Sequence, residues 1–148
     1  MMKHTILILF LFLSLLCHGQ SYKFFTTDRE LSSSLINKIY QDRNGMIWIA
    51  TEDGLNRYDG AKFITYKHDP ENEYSLCHNY VRVLYEDSKG RLFVGTYNGI
   101  QLYDPETDSF SARAQWEDGK TFDSNIMSIL ERRNGEIWVC LLYTSPSP

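Results

Sequence analysis

Histidine and cysteine, the side chains that most often act as nucleophiles, acid–base groups or metal ligands, are few in this 148-residue sequence. Beyond residue 19, only His68, His78, Cys77 and Cys140 remain. A covalent nucleophile needs a base within hydrogen-bond reach, and a zinc site needs several ligands at short spacing. Neither pattern is present, so we predict no catalytic residue, no metal site and no cofactor. We expect Cys77 to be a small, half-buried side chain.

Carboxylates are abundant, with 19 Asp and Glu against 15 Lys and Arg and a formal net charge of −4. Nothing in their spacing marks two of them as the acid and base of a glycosidase. Asp53, Asp59 and Asp104 each precede a glycine or a proline, which predicts turns in which Asp accepts hydrogen bonds from its own backbone. The chain has no basic patch, so nucleic acid is excluded as a predicted partner.

The sequence repeats itself with a period of 45 residues. Residues of matching type recur at this offset: Gly45, Gly90 and Gly135; Trp48, Phe93 and Trp138; Thr51 and Thr96; Gly54 and Gly99; Tyr58 and Tyr103; Asp59 and Asp104. No insertion separates them. The chain therefore holds two complete units, residues 31–75 and 76–120, and the first part of a third, residues 121–139, after a lead-in at residues 20–30.

Each unit predicts four short antiparallel strands joined by tight turns. In the first unit these strands are residues 36–41, 46–51, 55–58 and 62–67. The Asn44-Gly45 pair predicts a type I′ hairpin turn, in which both central residues have positive φ. The strands "MIWIA" and "RLFVG" are almost continuously apolar, which indicates burial on both faces.

Four strands in a unit of this length, buried on both faces, predict an all-β fold. We expect a partial β-propeller of about two and a third four-stranded blades. A β-sandwich built from one duplicated unit is the alternative.

The recurring aromatic and polar side chains are expected to be structural. Trp48, Phe93 and Trp138 have rings able to stack on sugars, but their place inside apolar strands predicts packing between blades. Tyr58 and Tyr103 are expected to pack with a hydrogen-bonded hydroxyl. The paired threonines, Thr51 and Thr96, are expected to bond within their own blade.

Three stretches agree with one another in order at many positions: "IYQDRNGMIWIATEDGLNRYDG", "LYEDSKGRLFVGTYNGIQLYD" and "ILERRNGEIWV". They resemble the two-component regulator propeller repeat over about residues 31–139. The departures are modest. Ala50 stands where Gly is usual, Phe93 replaces the usual Trp, and Arg132 replaces the acidic residue present as Asp42 and Asp87.

The resemblance implies an extracytoplasmic sensor. In this family the propellers are followed by a smaller β-domain, a membrane helix and a histidine kinase, and many members sense oligosaccharides to switch on genes for polysaccharide use. We therefore expect a non-enzymatic N-terminal fragment of a sensor histidine kinase. The full-length protein would be a homodimer anchored in the inner membrane, with this segment on the periplasmic face. The alternatives are a secreted propeller that binds or cleaves polysaccharide, and a protein-binding scaffold.

Residues 1–19 read as a secretory signal peptide. A short basic start precedes an apolar run, and small residues follow for cleavage after Gly19. The run is about half the ~20 residues that a membrane span requires. A membrane anchor and a lipoprotein attached through Cys17 are the alternatives.

The side-chain pattern of the repeat stops after Val139. The last nine residues, "CLLYTSPSP", resemble the translation of a transposase adapter used to prepare sequencing libraries. We therefore predict that residues 140–148 are a non-native tail.

A binding site in a propeller should use positions where the units differ in side chain but keep their backbone. Asn37, Arg82 and Met127 are equivalent positions of this kind. The segments 32–34, 77–79 and 122–124 lead into equivalent strands. Because propellers bind ligands at one end of the central channel, Asn79 and Arg82 are our candidates for contacting a polar or anionic sugar.

Overall fold

The computed structural model describes residues 22–27, 30–114, 119, 121 and 123–142. The predicted signal peptide and residues 143–148 lie outside these ranges. Within them the chain forms ten strands: β1 Ile36–Gln41, β2 Ile47–Thr51, β3 Gly54–Tyr58, β4 Phe63–Tyr66, β5 Val81–Glu86, β6 Leu92–Thr96, β7 Gly99–Asp104, β8 Ser109–Phe110, β9 Asn125–Glu131 and β10 Ile137–Leu142. No helix in the described part of the chain is long and apolar enough to cross a membrane.

The strands form three antiparallel sheets that follow the repeat. Sheet one has the order β1-β2-β3-β4, sheet two has the order β5-β6-β7-β8, and β9 pairs with β10. The predicted strands of the first unit are confirmed to within one residue at each end. Three successive sheets, each built from one repeat, are the blades of a β-propeller, so the predicted fold class is confirmed.

The blades pack face to face, with β1, β5 and β9 beside one another. One buried cluster lies between the first and second blades, and a smaller one lies between the second and third. Leu92 and Val94 belong to the first cluster, and Phe93 packs against the second. Alternate side chains of β6 thus face opposite neighbours, which explains why this strand is apolar at nearly every position.

The turn between β1 and β2 differs from the prediction. Gly45 has φ of +85°, but Asn44 is not among the described residues with positive φ, so the type I′ assignment is wrong. One carboxylate oxygen of Asp42 accepts hydrogen bonds from the backbone N–H of Asn44 at 2.9 Å and of Met46 at 3.0 Å. These bonds favour a three-residue loop of the kind built from a type I turn and a left-handed glycine.

Strand β10 continues past Val139 to Leu142. Cys140 pairs with Ser128 and Leu141 pairs with Ile126, which is the register of the corresponding strands in the second blade. The backbone therefore keeps the repeat for two residues after the side-chain pattern ends. The non-native origin of residues 140–148 stays a prediction.

Candidate functional site

The innermost strand of every blade carries a β-bulge at the same repeat position. The register shifts fall between Ile36 and Lys38 in β1, between Val81 and Val83 in β5, and beside Ser128 in β9. The extra residues are Asn37, Arg82 and Met127, the three positions predicted to vary. A bulge leaves one residue outside the ladder and redirects its side chain. The repeat thus presents one variable side chain per blade at the same end of neighbouring strands.

These three side chains have different surroundings. The Asn37 amide donates a hydrogen bond of 2.8 Å to the carbonyl of Val81, which joins the first and second inner strands. Arg82 and Met127 are half-buried. Arg82 is the charged residue among these three, and within the described part of the chain its guanidinium forms no ion pair. Its predicted role as a ligand contact is untested and stays a prediction.

The side chain of the second candidate, Asn79, forms hydrogen bonds with other residues of the protein. Its side-chain oxygen accepts from the N–H of His68 at 2.7 Å, and its amide nitrogen donates to Asp53 at 3.1 Å. Its carbonyl accepts from the N–H of Gly54 at 2.7 Å. Asn79 therefore ties the loop before β5 to the first blade, and its predicted sugar contact also stays a prediction.

The three turn aspartates divide into two groups. Asp59 and Asp104 accept bonds from nearby backbone N–H groups, as predicted, and these bonds lower the pKa of both carboxyls. The expectation for Asp53 is wrong, because its carboxylate pairs with Lys67 at 2.6 Å and accepts from Asn79. Asp53 connects segments that are distant in sequence, and a local turn pattern does not reveal such a link.

The recurring aromatic side chains of the repeat pack between blades wherever a neighbouring blade covers them. Trp48 is 1% exposed, and Phe93 packs between the second and third blades, so both predictions are confirmed. Trp138 is 55% exposed, because no sheet covers that face of the third blade within the described residues. The tyrosine prediction holds: Tyr58 donates to the carbonyl of Gly60 at 2.5 Å and Tyr103 donates to a carboxylate.

The repeated threonines close the β2–β3 and β6–β7 turns. The Thr51 hydroxyl donates to the carbonyl of Gly54 at 2.8 Å, and Thr96 donates to Gly99 at 3.0 Å, which confirms their predicted role. Cys77 is half-buried, with its sulfur 3.2 Å from the Thr96 hydroxyl. Burial raises the pKa of the Cys77 thiol, so it is a poor nucleophile. The described residues contain no group of three side chains suited to a metal ion.

Sequence reasoning missed a group of aromatic rings beside the bulge of the second blade. The Tyr97 ring is centred 5.7 Å from that of Tyr80 and 5.8 Å from that of His78. The Tyr97 N–H donates to the Tyr80 carbonyl, so the β6–β7 turn lies beside the start of β5. The Tyr80 hydroxyl donates to a carboxylate oxygen of Glu52 at 3.2 Å. We call Tyr97, Tyr80 and His78 the ring cluster.

The surroundings of the His78 imidazole in the ring cluster favour its neutral form. Its Nδ1 accepts a hydrogen bond from the Tyr80 N–H at 2.9 Å, which requires an unprotonated nitrogen. Partial burial lowers the pKa of His78, and the charge of His68 lowers it further. His78 thus contributes a flat, uncharged ring beside Tyr97.

Comparison with known proteins agrees with this architecture. The family model described as "Two component regulator propeller" matches residues 30–53 and 75–98. The extracellular domain of the putative hybrid two component system BT3049 from B. thetaiotaomicron is 29% identical, with a TM-score of 0.67, over 80% of this chain and 17% of that chain. The extracellular domain of the BT4673 system from the same organism is 23% identical, with a TM-score of 0.67, over 83% and 18%.

A curated relative, "Histidine kinase P4" of Formosa agariphila, is 40% identical over 73 residues, which are 47% of this chain and 5% of the relative. The chain thus spans a small part of each of these proteins. The fold defines the class, a propeller made of four-stranded blades. Two of its repeats match the two-component regulator propeller model, and the fold is similar to the extracellular domain of a putative hybrid two component system.

Proposed function

We propose that this chain is part of the exported, ligand-sensing propeller of a two-component sensor histidine kinase. The observation that carries the proposal is the combination of two family repeats with a fold similar to the extracellular domain of a putative hybrid two component system. The similarity to a histidine kinase over 73 residues supports the same class of parent protein. The blades themselves bind and do not catalyse, and the kinase would be a separate part of the protein.

The ligand we propose is an oligosaccharide, and the output is transcription of genes for polysaccharide use. One bulged side chain per blade, at the same end of adjacent inner strands, supports a ligand site at that end of the propeller. Arg82 supplies a guanidinium, which binds carboxylate and sulfate groups well because its donors form a planar fork. In the whole protein we propose a homodimer held in the inner membrane, with these blades on the periplasmic side.

The experiment starts from the complete reading frame that contains these repeats. We expect it to encode a membrane helix and a histidine kinase domain. In membrane vesicles the complete protein should incorporate phosphate from ATP, and a cognate saccharide on the propeller side should change the rate. A reading frame without a kinase domain, or with a polysaccharide-cleaving domain in its place, would contradict the proposal.

A further inference from the structure

We propose that the ring cluster of the second blade is a saccharide-stacking subsite, with Tyr97 as its platform. This inference rests on the proposed function, because it places part of the ligand site of the sensor in this blade. Tyr97 is 53% exposed although its ring contacts two other rings. An exposed ring held in place by its neighbours is suited to receive a flat, partly apolar ligand.

The first blade shows that the repeat does not need these rings. The residues equivalent to Tyr80 and Tyr97 are Leu35 and Glu52. The same backbone hydrogen bond forms in both blades, from Glu52 N–H to the Leu35 carbonyl at 3.1 Å and from Tyr97 N–H to the Tyr80 carbonyl at 3.0 Å. The backbone is kept while the side chains change, so the aromatic side chains serve a purpose other than folding of the turn.

The chemistry around Tyr97 favours a sugar. A sugar ring has an apolar face of C–H groups that packs on an aromatic ring, and hydroxyls at its edge that need hydrogen-bonding partners. The Glu52 carboxylate, which already accepts from Tyr80, lies at the edge of the cluster. Arg82 follows the Val81–Thr96 pair in the adjacent bulge, and its guanidinium suits a uronic acid or sulfate group.

The geometry disfavours a quaternary ammonium ligand. Such cations bind in cages whose aromatic faces surround the charge. Here the His78 and Tyr80 rings contact the Tyr97 ring, with centres 5.8 and 5.7 Å away, so they support it and do not surround a space beside it, and the Tyr97 side chain remains open to solvent. One open ring surface with polar groups at its edge is the arrangement expected for stacking.

The test uses the complete protein in lipid nanodiscs. It is first screened on an array of neutral and uronic-acid-containing tetrasaccharides, and the best-bound saccharide is then titrated by calorimetry. Wild type is compared with Tyr97→Ala, Tyr97→Phe and Tyr74→Ala. Tyr74 is a matched control, since its side chain is similarly exposed, at 56%. It lies at the outer edge of the same blade, where its carbonyl accepts a hydrogen bond from the N–H of Phe110 in β8. Thermal unfolding of each variant is measured in parallel.

We expect Tyr97→Ala to weaken saccharide binding about tenfold or more, since a stacked aromatic contact and its buried area are lost. Tyr97→Phe keeps the ring and should bind within about twofold of wild type. Tyr74→Ala should bind as wild type does, and the unfolding midpoints should be unchanged.

Three results would overturn the inference in different ways. If Tyr97→Ala binds the saccharide as wild type does, the subsite is wrong while the proposed sensor function stands. If wild type binds no saccharide on the array, the proposed saccharide ligand fails and the subsite fails with it. If choline chloride binds and Tyr97→Ala abolishes that binding, the ring cluster is a cation site.

Discussion

The junction between the first and second blades contains a charged aromatic network, whereas the fully buried core of the next junction is aliphatic. At the first, the Arg57 guanidinium lies 5.6 Å from the ring centres of Trp48 and Tyr66 and 5.7 Å from that of Tyr103. Arg57 pairs with Asp108 at 2.8 Å, and both tyrosine hydroxyls donate to the same carboxylate. Burial raises the pKa of Tyr103 to about 12, aided by the bond to Asp108, so this hydroxyl remains a donor.

At the second junction, Leu102 and Phe93 stand where Arg57 and Trp48 stand in the first. The charged network has no counterpart among the described residues there. The buried core of this junction consists of three aliphatic side chains, Ile100, Ile126 and Ile129.

The two junctions nevertheless share one hydrogen bond, from a backbone N–H of one blade to a side-chain carboxylate of the next. The N–H of Arg43 donates to Glu86 at 3.0 Å, and the N–H of the equivalent Ser88 donates to Glu131 at 2.7 Å. Each β-hairpin turn thus holds a carboxylate at the end of the next inner strand. The repeat keeps this hydrogen bond at both junctions, whereas the side chains between the blades differ.

The largest expected effect is a difference between Trp48 and Phe93, the aromatic residues at the same repeat position of the two junctions. Trp48→Ala should lower the free energy of unfolding by about 3–5 kcal/mol, because it empties a fully buried position and removes the 2.8 Å bond to Asp42. Phe93→Ala should cost less, about 1–3 kcal/mol, since Phe93 is only half-buried. Urea unfolding of the complete propeller, followed by circular dichroism, measures both. Equal losses would contradict the difference in burial.

The next effect concerns two repeat positions that face each other across each junction. The second junction combines the smaller residue on one strand, Gly95, with the larger residue on the other, Ile126. A Cβ on Gly95 would lie 2.8 Å from Cγ2 of Ile126, whereas in the first junction Ala50 and Val81 occupy the equivalent positions in one buried cluster. Gly95→Ala should therefore destabilise the protein by about 1–3 kcal/mol through overpacking.

The matched control for this pair is Gly95→Ala combined with Ile126→Val, which recreates the first junction. Its loss should be smaller than the sum of the two single losses. If the stability losses of the two single variants simply add, contact between residues 95 and 126 does not cause the loss in Gly95→Ala.

A smaller effect follows from the charge at the first junction. Partial burial acts to raise the pKa of Asp108, but hydrogen bonds from Tyr66 and Tyr103 and the charge of Arg57 hold it below the ordinary value. A lowered folded-state pKa contributes stability above the unfolded pKa of about 3.9, and this contribution is lost as the pH falls through the folded value.

The stability difference between wild type and Asp108→Asn should therefore shrink as the pH is lowered from about 6 to below the folded pKa of Asp108. Solvent exposure of Asp108 keeps the effect small. Urea unfolding at a series of pH values measures it. A difference that stays constant over this range would show that the ionised carboxylate contributes nothing.

The smallest effect concerns the first turn of the third blade. Arg132 replaces the acid of the other two units, and its guanidinium lies 5.4 Å from the centre of the Trp138 ring. In the first blade Asp42 accepts from Trp48, and in the second Asp87 pairs with Arg91 at 2.7 Å. Arg132→Asp should add about 0.5–1.5 kcal/mol, because it restores acceptors for the turn. A loss of stability would show that the contacts of Arg132 with the Trp138 ring and with the Glu136 carboxylate, 3.2 Å away, matter more.

The fold was largely predictable because its signals are periodic. Turn glycines 45 residues apart and continuous apolar strands define the blades before any contact is known. The type of the first turn was not predictable from Asn44-Gly45, because the Asp42 side chain decides it.

The site was predictable only in part. Comparison of the units identified Asn37, Arg82 and Met127 as variable positions, but the bulges that set them apart are register shifts, which a sequence does not display. The ring cluster was missed because Tyr80 and Tyr97 meet only when the β6–β7 turn folds beside β5.

The central claim, that charge stabilises the first junction, is tested most directly by a double-mutant cycle. The variants are Arg57→Leu, which introduces the residue of the second junction, Asp108→Asn, and the two combined, all in the complete propeller. We predict a coupling of about 0.5–1 kcal/mol in the free energy of unfolding, falling at high salt. Losses that add to within about 0.3 kcal/mol would contradict the claim.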